Sequence, residues 1–175
     1  MHIIIDGYNL IRQSVALKHF ERSGLEAGRK ELLRLLFLYR KSKGHRITVV
    51  FDGWMSGPPV EEREMEGGIT VVYSRRGEKA DEVIKRMAGK GEEETVVVTS
   101  DRDLATSISR RGSTAIPSPA FESRLYAAEA VLRHGREEGD DERSDEEMNR
   151  GTKKKGPARK ISKKKKIFLT RMKKM

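Results

Sequence analysis

Short apolar runs that lead to an aspartate recur along this chain. Three of them are Ile3–Ile5 before Asp6, Val49–Phe51 before Asp52, and Val96–Val98 before Asp101. Runs rich in β-branched and aromatic residues predict strands that are buried on both faces, as in parallel sheets. In an open α/β sheet the carboxyl ends of such strands meet at one edge, where ligands bind. The sequence therefore predicts that carboxylates from several strands converge at that edge.

Helical patterns separate the predicted strands. The predicted strands are His2–Ile5, Arg46–Phe51, Ile69–Tyr73, Thr95–Thr99 and Ser113–Ile116. The predicted helices are Tyr8–Val15, Leu25–Ser42, Lys79–Ala88, Asp101–Arg111 and Ser118–Arg133, the last capped by Ser118. Residues 53–68 contain Gly-Pro-Pro and many glutamates, which predicts an exposed loop. Strands joined through helices require parallel pairing, so the predicted fold class is α/β, a three-layer α/β/α arrangement around a mostly parallel sheet.

Composition sets limits on the class of protein. The chain has 175 residues, 35% hydrophobic and 37% charged, so we expect one folded domain and additional non-globular sequence. The absence of cysteine excludes disulfides and Cys-ligated metal sites. No apolar run approaches the roughly 20 residues that a membrane span needs. The N-terminal isoleucines are too few for a signal peptide. We expect a soluble, cytoplasmic protein that does not contact membranes.

The net charge of +10 is concentrated at the C-terminal end. Residues 151–175 contain 12 Lys and Arg and no acid, whereas residues 137–147 contain eight acids and one Arg. We therefore predict a folded domain at residues 1–136, an acidic linker at residues 137–150, and a disordered, charged, Lys-rich tail after it. The basic tail favours non-specific binding to nucleic acid, but its charge is no evidence that the folded domain binds nucleic acid.

Five aspartates near the predicted strand ends and helix starts are candidates for a metal site. They are Asp6, Asp52, Asp81, Asp101 and Asp103. Converging carboxylates repel one another unless protons or a cation compensate them, and Mg²⁺ and Mn²⁺ prefer oxygen ligands. We assign Asp6, Asp81 and Asp101 as catalytic metal ligands, with Asp52 or Asp103 completing the site. Such a site suits metal-assisted cleavage of a phosphodiester.

Each of these acids also has a purely structural interpretation. Asp6 and Asp52 precede glycines, as turn residues often do. Asp81 falls in the first turn of a helix, where an acid complements the helix dipole. Asp101 suits a helix N-cap, but Asp101 and Asp103 together exceed what one cap needs.

Polar and basic side chains at the same edge are candidates for binding substrate phosphates. They are Asn9, Arg75, Arg76, Lys79 and Ser100. The amide of Asn9 falls near a helix start, so it could face the ligand of Asp6, cap the helix, or do both. Arginine binds phosphate through a planar fork, although an ordinary solvated basic loop is the alternative for the Arg75–Lys79 segment.

Four motifs carry a family resemblance: IIDGYNLI at residues 4–11, VVFDG at 49–53, ADEVI at 80–84 and VVTSDRDL at 97–104. In this order and spacing they resemble the NYN domain family, and within it the YacP-like branch of the PIN-like nuclease superfamily. The resemblance extends over about residues 1–133, and the acidic linker and basic tail have no counterpart in the pattern.

The resemblance implies a PIN-like fold and an endoribonuclease that depends on Mg²⁺ or Mn²⁺. It places Asp6, Asp81 and Asp101 at the family's acidic metal positions, and Asp52 and Asp103 at the additional acids. Asn9 matches the polar residue of the first motif. The implied partner is RNA, and association with the ribosome is left open.

Two other functions remain as alternatives. The chain could be a non-catalytic RNA- or ribosome-binding protein that uses its basic tail, in which case binding would depend steeply on salt. It could also be a phosphatase, but the nucleophilic Asp-x-Asp expected after the first strand is replaced by Asp6-Gly7-Tyr8. We therefore rank the phosphatase last.

Overall fold

The structure, a computed structural model, describes residues 1–55, 57–88, 94–137 and 163–174. Its strands are β1 His2–Asp6, β2 Arg46–Phe51, β3 Glu62–Glu66, β4 Ile69–Tyr73, β5 Thr95–Val98 and β6 Thr114–Ile116. Its helices are α1 Gly7–Gln13, α2 Val15–Glu21, α3 Leu25–Lys43, α4 Ala80–Met87, α5 Arg102–Arg110, α6 Ser118–Glu137 and α7 Lys163–Lys174.

The strands form one sheet in the order β3-β4-β2-β1-β5-β6. Every neighbouring pair is parallel except β3 with β4, which is antiparallel. Ile5 of β1 lies opposite Val49 of β2 and Val98 of β5. These three strands therefore end side by side, and the residues that follow them lie along one edge of the sheet.

Both faces of the sheet are covered by helices. Alternate residues of a strand point to opposite faces, so Ile3 and Ile5 join the core under α1, α2, α3 and α6. Ile4 points the other way and joins the core under α4 and α5. All three isoleucines are fully buried. This arrangement confirms the predicted three-layer α/β/α fold and explains why the strands are continuously apolar.

The exposed loop predicted at residues 53–68 is wrong for Glu62–Glu66, which form the edge strand β3. All five β3 residues are exposed, so no buried face imposes the apolar alternation that reveals most strands. Gly67 and Gly68 join β3 to β4 with φ angles of 57° and 78°. Positive φ at two central residues is characteristic of a tight hairpin turn, and the Gly-Gly pair was the available signal.

The helix predicted at Tyr8–Val15 is divided into α1 and α2. Ser14, between them, has an extended backbone with φ −86° and ψ 127°. Its hydroxyl accepts a hydrogen bond of 3.0 Å from the backbone N–H of Leu17. Ser14 thus serves as the N-cap of α2, a role for which serine is well suited.

The helix α7 brings the end of the chain back to the starts of the strands. Arg171 donates a hydrogen bond to Thr114 at the start of β6 and pairs with Glu94, directly before β5, at 3.0 Å. Phe168 and Met172 pack against the larger core. These contacts place α7 at the amino edge of the sheet, opposite the edge where the aspartates follow the strands.

The predicted disorder of residues 151–175 does not hold for Lys163–Lys174, which form α7. The apolar residues of this segment contact the body, which supplies the packing that a Lys-rich helix lacks on its own. Most of the predicted acidic linker lies outside the described residues, so the domain division at residue 136 stays a prediction. No helix in the described ranges is long and apolar enough to cross a membrane.

Candidate active site

Asp6 lies at the centre of the carboxyl edge of the sheet. It is the last residue of β1, and its Oδ1 accepts a hydrogen bond of 3.2 Å from the backbone N–H of Asn9. Asp6 therefore caps α1, which is the structural role that the Asp-Gly turn allowed. Only 8% of the residue is exposed, so its carboxylate is almost completely removed from water.

The surroundings of Asp6 favour its neutral form. Burial is the main cause that raises the pKa of Asp6, the carboxylates of Asp81 and Asp101 raise it as well, and hydrogen bonds from the Asn9 N–H and the Thr99 hydroxyl lower it, so that the pKa is about 6. A buried carboxyl with a raised pKa among other acids is a frequent feature of functional sites. The three aspartates assigned as catalytic ligands thus act on one another electrostatically.

Thr99 connects Asp6 to Asp101. Its hydroxyl donates to Asp6 Oδ2 at 3.3 Å, and its Oγ1 accepts from the backbone N–H of Asp101 at 3.1 Å. Asp101 is the N-cap of α5, since its Oδ1 accepts from the backbone N–H of Leu104 at 2.8 Å. The side chain of Asp101 is exposed. These bonds fix the relative positions of the acids at the ends of β1 and β5.

Asp81 reaches the same edge from the first turn of α4. Burial raises the pKa of Asp81, the Asp101 carboxylate raises it further, and Lys85 and Lys79 lower it. The acids of β1, α4 and the β5–α5 connection therefore lie close enough to affect one another's charge, while their assignment as one metal site stays a prediction. The sheet order explains this proximity because β1 and β5 are adjacent and α4 covers the face next to them.

Asp52 and Asp103 occupy the margins of this group. Asp52 Oδ1 accepts from the backbone N–H of Trp54 at 2.7 Å, and its Oδ2 lies 3.5 Å from the backbone nitrogen of Ala80. Asp52 thus ties the end of β2 to the start of α4. Asp103 is exposed in the first turn of α5. The roles of Asp52 and Asp103 as metal ligands stay predictions.

Asn9 and Ser100 belong to a network that holds three elements together. Asn9 Oδ1 accepts from the backbone N–H of Ser100 at 2.9 Å and from the hydroxyl of Ser118 at 2.8 Å. Ser100 Oγ in turn accepts from the backbone N–H of Ser118 at 3.1 Å. The predicted contact of Asn9 and Ser100 with substrate remains a prediction, while their observed bonds position the edge of the site.

Ser118 does not take the N-cap position predicted for it. It is the first residue of α6, and the carbonyl of Pro117 accepts from the backbone N–H groups of Ala120 and Phe121 at 3.0 and 3.3 Å. The Ser118 hydroxyl instead donates a hydrogen bond to Asn9 Oδ1. Sequence reasoning missed this role, and no local signal points to a partner so distant in the chain.

The basic loop before α4 lies beside Asp81. Lys79 is exposed, and its charge acts on Asp81. Arg75 pairs with Glu78 at 3.4 Å, and the backbone N–H of Arg76 donates to the carbonyl of Pro58 at 2.8 Å. The structure thus brings Lys79 to the acids, while its placement of Arg75 and Arg76 leaves their contact with phosphate a prediction.

The donor set at this edge suits a hard divalent cation shared with a substrate. Within the described ranges no three His, Cys, Asp or Glu side chains lie close enough together to enclose a metal ion. Mg²⁺ seldom requires such a cage, because it commonly keeps several waters and uses one or two carboxylates together with substrate phosphates. The mutual electrostatic effect of Asp6, Asp81 and Asp101 is therefore compatible with an open cation site.

Thr99 is the other site residue that sequence reasoning missed. It follows the Val96–Val98 run and precedes the acidic segment by two residues, so its position at a strand end was the available signal. A hydroxyl that both donates to one carboxylate and accepts from the backbone of another acid orients both residues. The structure therefore adds Thr99 and Ser118 to the residues that shape this edge.

Comparison with known proteins agrees with this architecture. The YacP-like NYN domain family model matches residues 3–174. That range includes the tail, which corrects the expectation that the basic tail has no counterpart in the family. Over 86 residues the chain is 29% identical to YacP of Bacillus subtilis (strain 168), a match that covers 49% of this chain and 50% of that protein. In that match the chain spans about half the length of its curated relative.

Two crystal structures of Rae1 (YacP) from Bacillus subtilis share the fold. One is a tryptophan-to-leucine mutant, with a TM-score of 0.67 and 22% identity, covering 82% of this chain and 86% of that one. The other has a TM-score of 0.67 and 21% identity, covering 79% and 80% of the two chains. Together with the matched range of the family model, these likenesses confirm the family predicted from the four motifs. The chain belongs to the YacP-like NYN domain family of PIN-like nucleases.

Proposed function

We propose that this chain is an endoribonuclease that uses Mg²⁺ or Mn²⁺ to hydrolyse phosphodiester bonds of RNA. The observation that carries the proposal is the proximity of Asp6, Asp81 and Asp101, which come from three separate elements. Burial and the two neighbouring acids raise the pKa of Asp6 to about 6. Structural capping accounts for Asp6 and Asp101 individually. The helix dipole favours an acid in the first turn of α4, but it does not require Asp81 to lie near the other two acids, an approach that works against stability unless a cation compensates the charge.

The three aspartates would hold the cation, with Asp52 or Asp103 as the outer acid. When bound, a divalent ion supplies charge neutralisation for the phosphate and Lewis-acid activation of the attacking water. Attack on phosphorus breaks the bond to the 3′ oxygen and leaves a 5′-phosphate and a 3′-hydroxyl. Ionised Asp6 is the form that binds a cation, so its raised pKa predicts weaker activity below about pH 6.

The chain's own side chains position the substrate and the acids. Lys79, exposed beside Asp81, would attract a phosphate, and the Arg75–Lys79 loop would extend this basic surface. Thr99 orients Asp6 through its hydroxyl. Asn9 holds the β5–α5 connection through the backbone N–H of Ser100. We therefore expect substitution of Lys79 to weaken phosphate binding, and substitution of Thr99 or Asn9 to disturb the positions of the acids.

The test is cleavage of a mixed-sequence, end-labelled, single-stranded RNA in Mn²⁺, Mg²⁺ or EDTA. The wild-type chain should cleave only with metal. Asp6→Asn should reduce the rate by at least about a hundredfold, because a neutral amide replaces a charged ligand of the reacting centre. The matched control is Glu62→Gln, an acid of the exposed edge strand β3, which should cleave like wild type. Undiminished cleavage by Asp6→Asn would refute the assignment of the site.

The same experiment separates the enzyme from a non-catalytic binding protein. Tight, salt-sensitive RNA binding without cleavage in any metal would favour binding by the basic tail. Repeating that assay with ribosomes added then distinguishes a ribosome-dependent nuclease, which gains cleavage, from a binding protein, which does not.

A further inference from the structure

Trp54 is the only tryptophan of the chain, and it lies on the surface beside the acids. Its side chain is 50% exposed, and the adjacent Met55 is 87% exposed. Exposed aliphatic residues are common on protein surfaces, whereas tryptophan is on average highly buried. A half-exposed indole beside an exposed methionine is therefore an apolar surface that the fold itself does not use.

The backbone that carries the indole is held firmly in place. The backbone N–H of Trp54 donates to Asp52 Oδ1 at 2.7 Å, and its carbonyl accepts from the backbone N–H of Gly77 at 3.1 Å. Gly53 lies so close to the next loop that an added Cβ would fall 1.9 Å from the carbonyl oxygen of Ser74. The tryptophan thus projects from a close-packed turn, which fixes its position relative to the site.

A lysine joins the indole to the acidic cluster. Lys79 Nζ lies 5.9 Å from the centre of the Trp54 ring, within the range of a cation–π contact. The same lysine acts electrostatically on Asp81. An aromatic face, a cation and a cluster of carboxylates therefore follow one another along this edge. In a nucleotide chain the base, the phosphate and the bond to be cleaved follow in the same order, so the ring would face a base, the lysine a phosphate and the carboxylates the scissile bond.

We propose that Trp54 stacks on a base of single-stranded RNA while Lys79 binds a phosphate next to that base, an inference that rests on the proposed function. Proteins that bind single strands combine a basic groove with aromatic rings on which bases stack, and the stacking tolerates any sequence. Bases within a duplex already stack on each other and cannot cover the indole. The substrate class is therefore single-stranded RNA or an unpaired segment, with little base preference at this position.

Because the chain has one tryptophan, its fluorescence reports stacking directly. The probes are a twelve-nucleotide uridine oligomer, an oligomer of the same length without bases, and a twelve-base-pair RNA duplex, each added to the 175-residue chain that carries Asp6→Asn. The uridine oligomer should quench the fluorescence and bind at least about fivefold tighter than the base-free oligomer. Equal affinity for these two oligomers, or binding without any change in fluorescence, would overturn the inference.

Substitution tests the role of the ring in the reaction. Trp54→Phe keeps an aromatic face and should stay within about threefold of wild type in kcat/KM. Trp54→Leu keeps apolar bulk without the aromatic face and should lose about tenfold, through KM rather than kcat, with an unchanged melting temperature. Equal kcat/KM for the Leu and Phe variants would refute stacking.

The two proposals fail in different ways. Absence of cleavage by the wild-type chain both without and with added ribosomes would contradict the nuclease, while base-dependent quenching would still establish the stacking site. Normal cleavage that depends on Asp6 but not on the aromatic ring at position 54 would leave the nuclease intact and remove the stacking site.

Discussion

At the scale of single residues, the central feature is a carboxyl group that the fold keeps in an unfavourable charge state. Asp6 is buried at the end of a strand, and burial with two neighbouring acids raises its pKa from 3.8 to about 6. A hydrogen bond from Thr99 and one from the backbone of Asn9 only partly offset this. Holding these acids together therefore lowers the free energy of unfolding of the protein.

The stability of the metal-free protein should depend on pH through Asp6. Its folded pKa is higher than its unfolded pKa, so its contribution to the free energy of unfolding is greatest below about pH 4. That contribution falls as the pH rises through about 6, and the total loss is on the order of 2–3 kcal/mol. Asp6→Asn removes this loss. Urea denaturation in EDTA should therefore show that the free energy of unfolding of the variant rises relative to that of wild type between pH 4 and 7. Parallel stability curves for the two proteins would contradict the raised pKa.

Thr99→Val should weaken both the fold and the site. The substitution keeps the shape but removes the hydroxyl that donates to Asp6 and accepts from the backbone of Asp101. An unsatisfied buried partner costs about 1–3 kcal/mol in the free energy of unfolding. The variant should also need more metal for half-maximal cleavage, because its acids are less well oriented. Thr99→Ser keeps the hydroxyl and should need the same metal concentration as wild type, with a loss of only about 1 kcal/mol in the free energy of unfolding for the buried methyl group.

The residue scale also shows the limits of the sequence. Asp6, Asp81 and Asp101 could be predicted to converge, because each stands at a strand end or helix start where a parallel sheet gathers its ligands. The hydrogen bonds of Asn9 with Ser100 and Ser118 could not be predicted, because they depend on the distance between elements that are far apart in the chain. Local patterns carry no information on such distances.

At the scale of elements, the sequence predicted the strands that are buried and missed the one that is not. β1, β2, β4 and β5 are apolar because helices cover both of their faces. β3 is charged and exposed, as edge strands often are, since charge prevents pairing with other chains. The tail helix α7 was missed for a related reason, because its lysines dominate its composition and its few apolar residues carry the packing.

Truncation of Phe168 should show that α7 packs on the body. The Phe168 ring contacts the larger core, so Phe168→Ala should lower the free energy of unfolding by about 1–2 kcal/mol. Leu169, next to it on the same helix, is 42% exposed, and Leu169→Ala is the matched control with a much smaller expected loss. Urea denaturation measures both. Equal effects of the two substitutions would mean that α7 is not docked as the structure places it.

At the scale of the whole molecule, the candidate site and the Lys-rich helix α7 occupy opposite ends of the sheet. The aspartates follow the carboxyl ends of the strands, and α7 contacts Glu94 and Thr114 at the amino ends. Removing the whole tail would therefore change folding stability together with charge, and a loss of function would have two explanations. Substitutions at the aspartates avoid this, because they lie far from α7 and leave its contacts intact.

The most direct test of the central claim is whether the acids of different elements act as one unit. Single-turnover RNA cleavage in Mn²⁺ would be compared for wild type, Asp6→Asn, Asp81→Asn and the double variant. If both carboxylates hold one cation, each single substitution removes nearly all activity and the double variant is hardly slower than either. Losses that multiply, or single variants that cleave like wild type, would contradict a shared cation site.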